Sequence, residues 1–215
     1  MLSRRGSLPS GTPRTRNSGA TGWTHRLGGL AEAPGVAAAI SADLRRAGIP
    51  HAITGAAAMA AYGYIRATRD VDILVVTTSL RLPEVFRIVR AHGFAGEDRA
   101  LIISLRERYV AELTSDALSV EILVPVLPYH RVVLDRAVVK DIGGQRVPFV
   151  SVEDLIVLKM LWHRSKDVPD VEAMIVAGGA GLDREYVRRT LRSLIPDADG
   201  RHAELDRMLE RYGPR

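Results

Sequence analysis

The stretch Ile65-Arg66-Ala67-Thr68-Arg69-Asp70-Val71-Asp72-Ile73-Leu74-Val75-Val76 sets the tightest limit on what this chain can become. Its second half is β-branched and apolar, as a buried strand requires, yet two carboxylates stand where it enters the core. Side chains on a strand alternate faces. A strand from Ile65 to Val76 therefore puts Arg66, Thr68, Asp70 and Asp72 on one face, with Ala67, Val71 and Ile73 on the other. Neighbouring carboxylates repel and lose hydration near a core, and a bound divalent cation would remove both penalties. Spacing alone does not decide the matter, because Asp197-Ala198-Asp199 repeats it between Pro196 and Gly200. That second pair reads as a turn.

The surrounding pattern alternates helices and strands. Val36, Ile40, Leu44 and Ala47 recur at helical intervals and stop at Gly48. Ala52-Ile53-Thr54 reads as a short strand that breaks at Gly55 into the helix formers Ala56 to Tyr62, ended by Gly63. A helix is expected over Pro83 to Ala91, with Gly93 as its stop. Tyr109 to Thr114 and Leu118 to Val124 form two further strands, and Ala137 to Ile142 with Arg146 to Val150 form a hairpin through Gly143-Gly144. After Val150 the period is helical. Ser151 and Asp154 make a capping box for a helix over Val152 to Arg164, followed by helices near 168–177, 183–194 and 201–212. Strands mixed with helices first and helices last predict an α/β (α+β) fold, a mixed-sheet core over 35–150 with a helical C-terminal part over 151–215.

Composition narrows the chemistry. The 215 residues suit one ordinary domain, and the absence of Cys excludes disulfides, thiolate zinc sites and a Cys nucleophile. Any metal must sit on oxygen or nitrogen ligands. With no long apolar run, the expected location is the cytoplasm. The net charge of +5 resides in Arg4, Arg5, Arg14, Arg16 and Arg26, since residues 1–30 hold no acid and the remainder balances 25 basic against 25 acidic residues. The body thus carries no global field that argues for nucleic acid. Residues 1–34, rich in Ser, Gly, Thr, Pro and Arg, read as a disordered basic tail.

Four elements carry candidate chemistry. Asp70 and Asp72 are the first. The second is the strand-to-helix turn at Gly55-Ala56, where free backbone N–H groups can seat a phosphate. The third is Glu121, one acid inside the apolar strand Leu118-Ser119-Val120-Glu121-Ile122-Leu123-Val124; Glu112 on the preceding strand is its rival. With Asp70 and Asp72 either acid would complete a cluster suited to two Mg²⁺ ions about 3.5–4 Å apart. Last comes Lys159, the lone charge in an otherwise apolar stretch from Leu155 to Trp162, which either snorkels to solvent or holds an anion. Asp167 and Asp170 orient it or cap the next helix. Trp162 and His163 read as packing residues.

In order and spacing, Gly55, Arg66-x-Thr68-x-Asp70-x-Asp72, Glu121, Ser151 through Lys159, and Lys166-Asp167-x-x-Asp170-Val171 resemble nucleotidyltransferases. More narrowly they resemble the minimal DNA polymerase beta-like group that includes the AbiEii and MenT toxins. The resemblance covers roughly residues 36–195. It implies Mg²⁺, with Mn²⁺ as a substitute, on Asp70, Asp72 and Glu121, and one of these carboxylates, Glu121, deprotonating an acceptor hydroxyl. It implies a phosphate cradle at Gly55 and Ala56, substrate contacts from Arg66, Thr68, Lys159 and Asp170, and an NTP as donor. The acceptor would be the 3′ end of tRNA or another hydroxyl, antibiotic-type small molecules included. A cognate antitoxin would be the partner, with no membrane involved. A catalytically inactive nucleotide-binding module of the same fold is the other class the resemblance admits. The group usually shows Gly-Gly or Gly-Ser at the phosphate turn, where this chain has Gly55-Ala56.

Overall fold

The computed structural model describes residues 21–65 and 68–212. Six strands form one mixed sheet in the order β3-β4-β2-β1-β6-β5. They are β1 (His51–Thr54), β2 (Asp70–Val75), β3 (Val110–Thr114), β4 (Ser119–Leu123), β5 (Val138–Ile142) and β6 (Gln145–Phe149). β2 runs parallel to β4 and antiparallel to β1, while β1 is parallel to β6. The alternation expected of β2 is met: Val71 and Ile73 are fully buried on the face opposite the acids.

The helices are α1 (Thr21–Arg46), α2 (Gly55–Ala61), α3 (Leu82–Ala91), α4 (Asp98–Arg108), α5 (Tyr129–Asp135), α6 (Val152–Trp162), α7 (Asp167–Gly178), α8 (Arg184–Leu194) and α9 (Gly200–Tyr212). Helix α1 packs on β1 and β6 through Ala37, Ile40 and Leu44, and α6 packs against α7 and α8 as the C-terminal layer. The expected stops hold, since Gly48, Gly63 and Gly93 all have positive φ. Gly143 and Gly144 likewise turn the β5–β6 hairpin, at φ +60° and +82°. No described helix is long and apolar enough to cross a membrane.

Three boundaries differ from the sequence reading. Helix α1 starts at Thr21, so residues 21–34 are helical rather than tail; Pro34 lies inside the helix and, with the nearby glycines, hides its period. Residues 1–20 lie outside the described residues. Strand β2 begins at Asp70, not Ile65, because its ladder with β4 starts at the pair Asp70 and Ser119. Thr68 therefore precedes the strand and shares no ladder face with Asp72. Helix α4 fills the interval before β3 that showed no clear period, its buried face reduced to Leu101 and Leu105.

Candidate active site

Sheet register builds the site. Asp72 stands opposite Thr54 on β1 and Glu121 on β4, and Glu121 stands opposite Glu112 on β3, so four neighbouring strands present one row on one face. The Asp72 and Glu121 side chains are cross-strand neighbours on the β2–β4 ladder, close enough that each shifts the other's proton affinity. Burial is the largest cause raising both, and the charges of Asp70 and, for Glu121, Glu112 add to it; Glu121 is pushed up to about 7. Asp72 is half-buried and lines a cavity. Glu112 is exposed at the outer end of the row.

That cavity measures about 250 Å³. Its lining joins Thr54, Gly55, Asp72, Glu121, Lys159 and Arg164 to the apolar side chains of Leu74, Leu123 and Leu158. Gly55 opens α2 at φ +61°, and a Cβ there would fall 1.7 Å from Asp72 Oδ2. Thr54 supplies no side-chain cap, so the first turn of α2 is left with donors of its own. Ala56 follows with its methyl buried.

Lys159 does not snorkel. It is 8% exposed and donates to Asp170 Oδ2 at 2.6 Å and to Asp167 Oδ1 at 3.2 Å. Asp167 and Asp170 thus orient the lysine rather than cap α7, whose N-cap position is Lys166. Burial raises the Asp167 carboxyl, but the bonds from Arg164 and the charge of Lys159 outweigh it and hold it below the usual carboxylate range.

The remaining expected residues divide. Asp70 lies in line with Asp72, but its carboxylate accepts from Ser119 Oγ at 2.7 Å. Thr68 Oγ1 accepts the Asp70 backbone N–H at 3.2 Å, a turn contact at the surface. Arg66 lies outside the described residues. Trp162 is not a packing residue: it is 57% exposed and lines the cavity at the end of α6. His163 is not one either, since it sits in the left-handed region at φ 48° and reaches Glu204 at 2.7 Å. Sequence reasoning missed Arg108, Tyr109 and Arg164 at the rim. Tyr109 caps α4 at φ 62°, and nothing in the local pattern announces that a tyrosine will take this conformation.

Among the described residues, no three His, Asp or Glu side chains form a ready metal group. The donors nevertheless fit a hard divalent cation: Asp72 and Glu121 are paired across β2 and β4 and Asp70 is two residues along the same strand, an all-oxygen set.

A sheet carrying acids on adjacent strands, a glycine turn facing them and a lysine-bearing helix across the cavity define a nucleotidyltransferase fold. Two solved structures share it: the antibiotic-resistance factor ANT(2'')-Ia in solution, at TM-score 0.52 and 17% identity over 84% of this chain and 98% of that one, and ANT(2'')-Ia in complex with adenylyl-2''-tobramycin, at TM-score 0.51 and 17% identity over 75% and 97%. No curated protein matches the sequence. The profile of the family described as nucleotidyl transferase of unknown function (DUF2204) matches residues 36–204, and the chain belongs to that family.

Proposed function

We propose that the protein moves a nucleoside monophosphate from an NTP to an acceptor hydroxyl, in the manner of the toxin-like nucleotidyltransferases, and that the acceptor is an RNA 3′ end such as that of tRNA. The observation that carries this reading is one cavity shared by Asp72, Glu121, Gly55 and Lys159. An acceptor oxygen attacks the α-phosphorus in line; the new P–O bond forms as the bond to the β-phosphate breaks, and pyrophosphate leaves. The hydroxyl proton passes to a carboxylate of the acid row, Glu121, which lines the cavity from β4. Backbone N–H groups at Gly55 and Ala56 meet phosphate oxygens, and Lys159, held by Asp170, adds a fixed positive charge. Asp70, Asp72 and Glu121 would hold Mg²⁺ or Mn²⁺. Such a cation, when bound, offsets the charge that builds on the phosphoryl oxygens.

The acceptor class rests on the rim. Tyr109 and Trp162 are 45% and 57% exposed beside Arg108, a set that stacks bases and meets phosphates. A toxin of this kind would be silenced by a cognate antitoxin in the cytoplasm.

The test is incubation of the full chain with each labelled NTP, Mg²⁺ and either total RNA or an aminoglycoside, beside Asp70→Ala and Asp72→Ala controls. Label entering RNA only with the intact protein supports the proposal. Label on the aminoglycoside replaces the acceptor by a small molecule, and NTP binding without any transfer identifies an inactive nucleotide-binding module.

A further inference from the structure

Asp167 is a saturated junction. It is 1% exposed, and its Oδ1 accepts from Lys159 Nζ and Arg164 Nη2, each at 3.2 Å. Its Oδ2 accepts from the Arg164 backbone N–H at 3.0 Å and from Arg164 Nε at 2.8 Å. A carboxylate offers about four acceptor sites, so nothing is left over for a ligand. The two cations it joins differ in access. Lys159 is buried and also tied to Asp170, whereas the Arg164 side chain is 57% exposed at the cavity mouth.

The approach of Arg164 to the cavity is built by the backbone. His163 takes the left-handed conformation at φ 48°, unusual for a non-glycine residue, and so ends α6. Arg164 follows directly and lines the same cavity as Asp72 and Glu121, whose charges its guanidinium feels. The bonds to Asp167 occupy Nε and Nη2 and fix the plane of the fork, which leaves Nη1 free of Asp167.

We infer that Arg164 grips the terminal phosphates of the nucleotide, and that Asp167 is the positioning residue that sets its guanidinium. This rests on the NTP-dependent reading above. The β- and γ-phosphates become pyrophosphate on transfer, so Arg164 also holds the leaving group. An Arg–phosphate contact is planar and forked, and Lys would not reproduce it.

Equilibrium binding of ATP and of AMP, both with Mg²⁺, tests the assignment on the full chain. Arg164→Ala is expected to weaken ATP by about tenfold or more, the scale of a charge-assisted hydrogen bond, while AMP changes by less than about twofold. Arg164→Lys should restore only a small part. In an Asp167→Asn background the effect of Arg164→Ala should shrink, because the fork has lost its support. Equal losses for ATP and AMP, or an Arg164→Ala variant that binds ATP like the parent, overturn the inference while leaving the NTP reading intact. Strict additivity between positions 164 and 167 overturns the positioning role. If Asp167→Asn does not fold, the exposed Arg164 variants decide the phosphate contact. A parent protein that binds no nucleotide sinks both readings together.

Discussion

A Cβ on Gly55 would lie 1.7 Å from Asp72 Oδ2 and 2.6 Å from its Cγ, so the Gly55 turn and the Asp72 carboxylate are one steric unit. Gly55 is required twice, by its φ of +61° and by this approach. Gly143 has nearly the same φ, +60°, with nothing within 4 Å of its added Cβ. Gly143→Ala should therefore cost only backbone strain, on the order of 1 kcal/mol. Gly55→Ala should cost at least about 2 kcal/mol more, because Asp72 must move, and should abolish transfer. Urea unfolding of the two variants, with labelled-NTP transfer alongside, measures the difference; equal costs would refute the steric coupling.

The acid row predicts how the metal-free protein responds to pH. Glu121 is raised from its ordinary 4.5 to about 7, and Asp72 is raised as well, with burial the first cause for both. The folded state then binds more protons than the unfolded chain between about 4.5 and about 7, so stability is complete below that window and is lost as pH rises through it. The loss is on the order of 1–3 kcal/mol after allowing for solvent screening of the partly buried Glu121. In EDTA the melting temperature should fall from pH 5 to pH 8, and a divalent cation should restore it at pH 8 but not at pH 5. The pair titrates jointly, so Asp72→Asn should flatten the profile rather than merely shift it.

The reach and the limits of sequence reading have physical causes. Gly48, Gly63, Gly93 and the Gly143-Gly144 turn mark element ends because each needs a positive φ that other residues avoid. The Ser151–Asp154 cap is local too: Ser151 Oγ accepts the Asp154 backbone N–H, while the Asp154 carboxylate takes the Ser151 hydroxyl rather than its backbone N–H. Helix α4 escapes because two buried leucines spaced by four set no clear period, and α5 because it spans one short turn region ahead of β5. The site is harder still. That Asp72 meets Glu121 depends on the parallel register of β2 and β4, a non-local pairing that no window of either strand encodes. Trp162 and Arg164 sit where α6 ends, and an apolar helix does not announce which of its last residues will overhang a cavity.

Asp154 shows the other outcome of a capping residue. It is fully buried and accepts from Tyr129 Oη and Tyr186 Oη at 2.6 Å each, from Ser151 Oγ at 2.6 Å and from Arg136 Nε at 3.1 Å. Arg136 also stacks on the Tyr186 ring at 3.8 Å. One carboxylate thereby ties α5, α6 and α8 together. Burial and Asp154 raise both tyrosines, so they stay protonated donors throughout the accessible range. Asp154→Ala should cost about 3–5 kcal/mol by orphaning these groups. Tyr186→Phe should cost about 1–1.5 kcal/mol. Chemical denaturation of each variant measures both, and a cost below 1 kcal/mol for Asp154→Ala would show that the hub is dispensable.

Lys159 allows structural and chemical roles to be pulled apart. Its ammonium is buried between Asp167 and Asp170, at 3.2 and 2.6 Å. Lys159→Met leaves both carboxylates without it, although Asp167 keeps Arg164. The expected cost is about 3–5 kcal/mol, the usual result of breaking a buried ion pair from one side. Replacing the facing acid as well, in Lys159→Met with Asp170→Leu, exchanges the buried pair for apolar side chains and should recover part of the stability, since a buried pair is often no better than an apolar one. If Lys159 only holds α6 to α7, transfer returns with the fold. If it supplies charge to the nucleotide, the double variant melts near the parent temperature and still transfers nothing. Melting curves and labelled-NTP transfer on the same preparations decide between them, and recovered transfer in the double variant would remove Lys159 from the site.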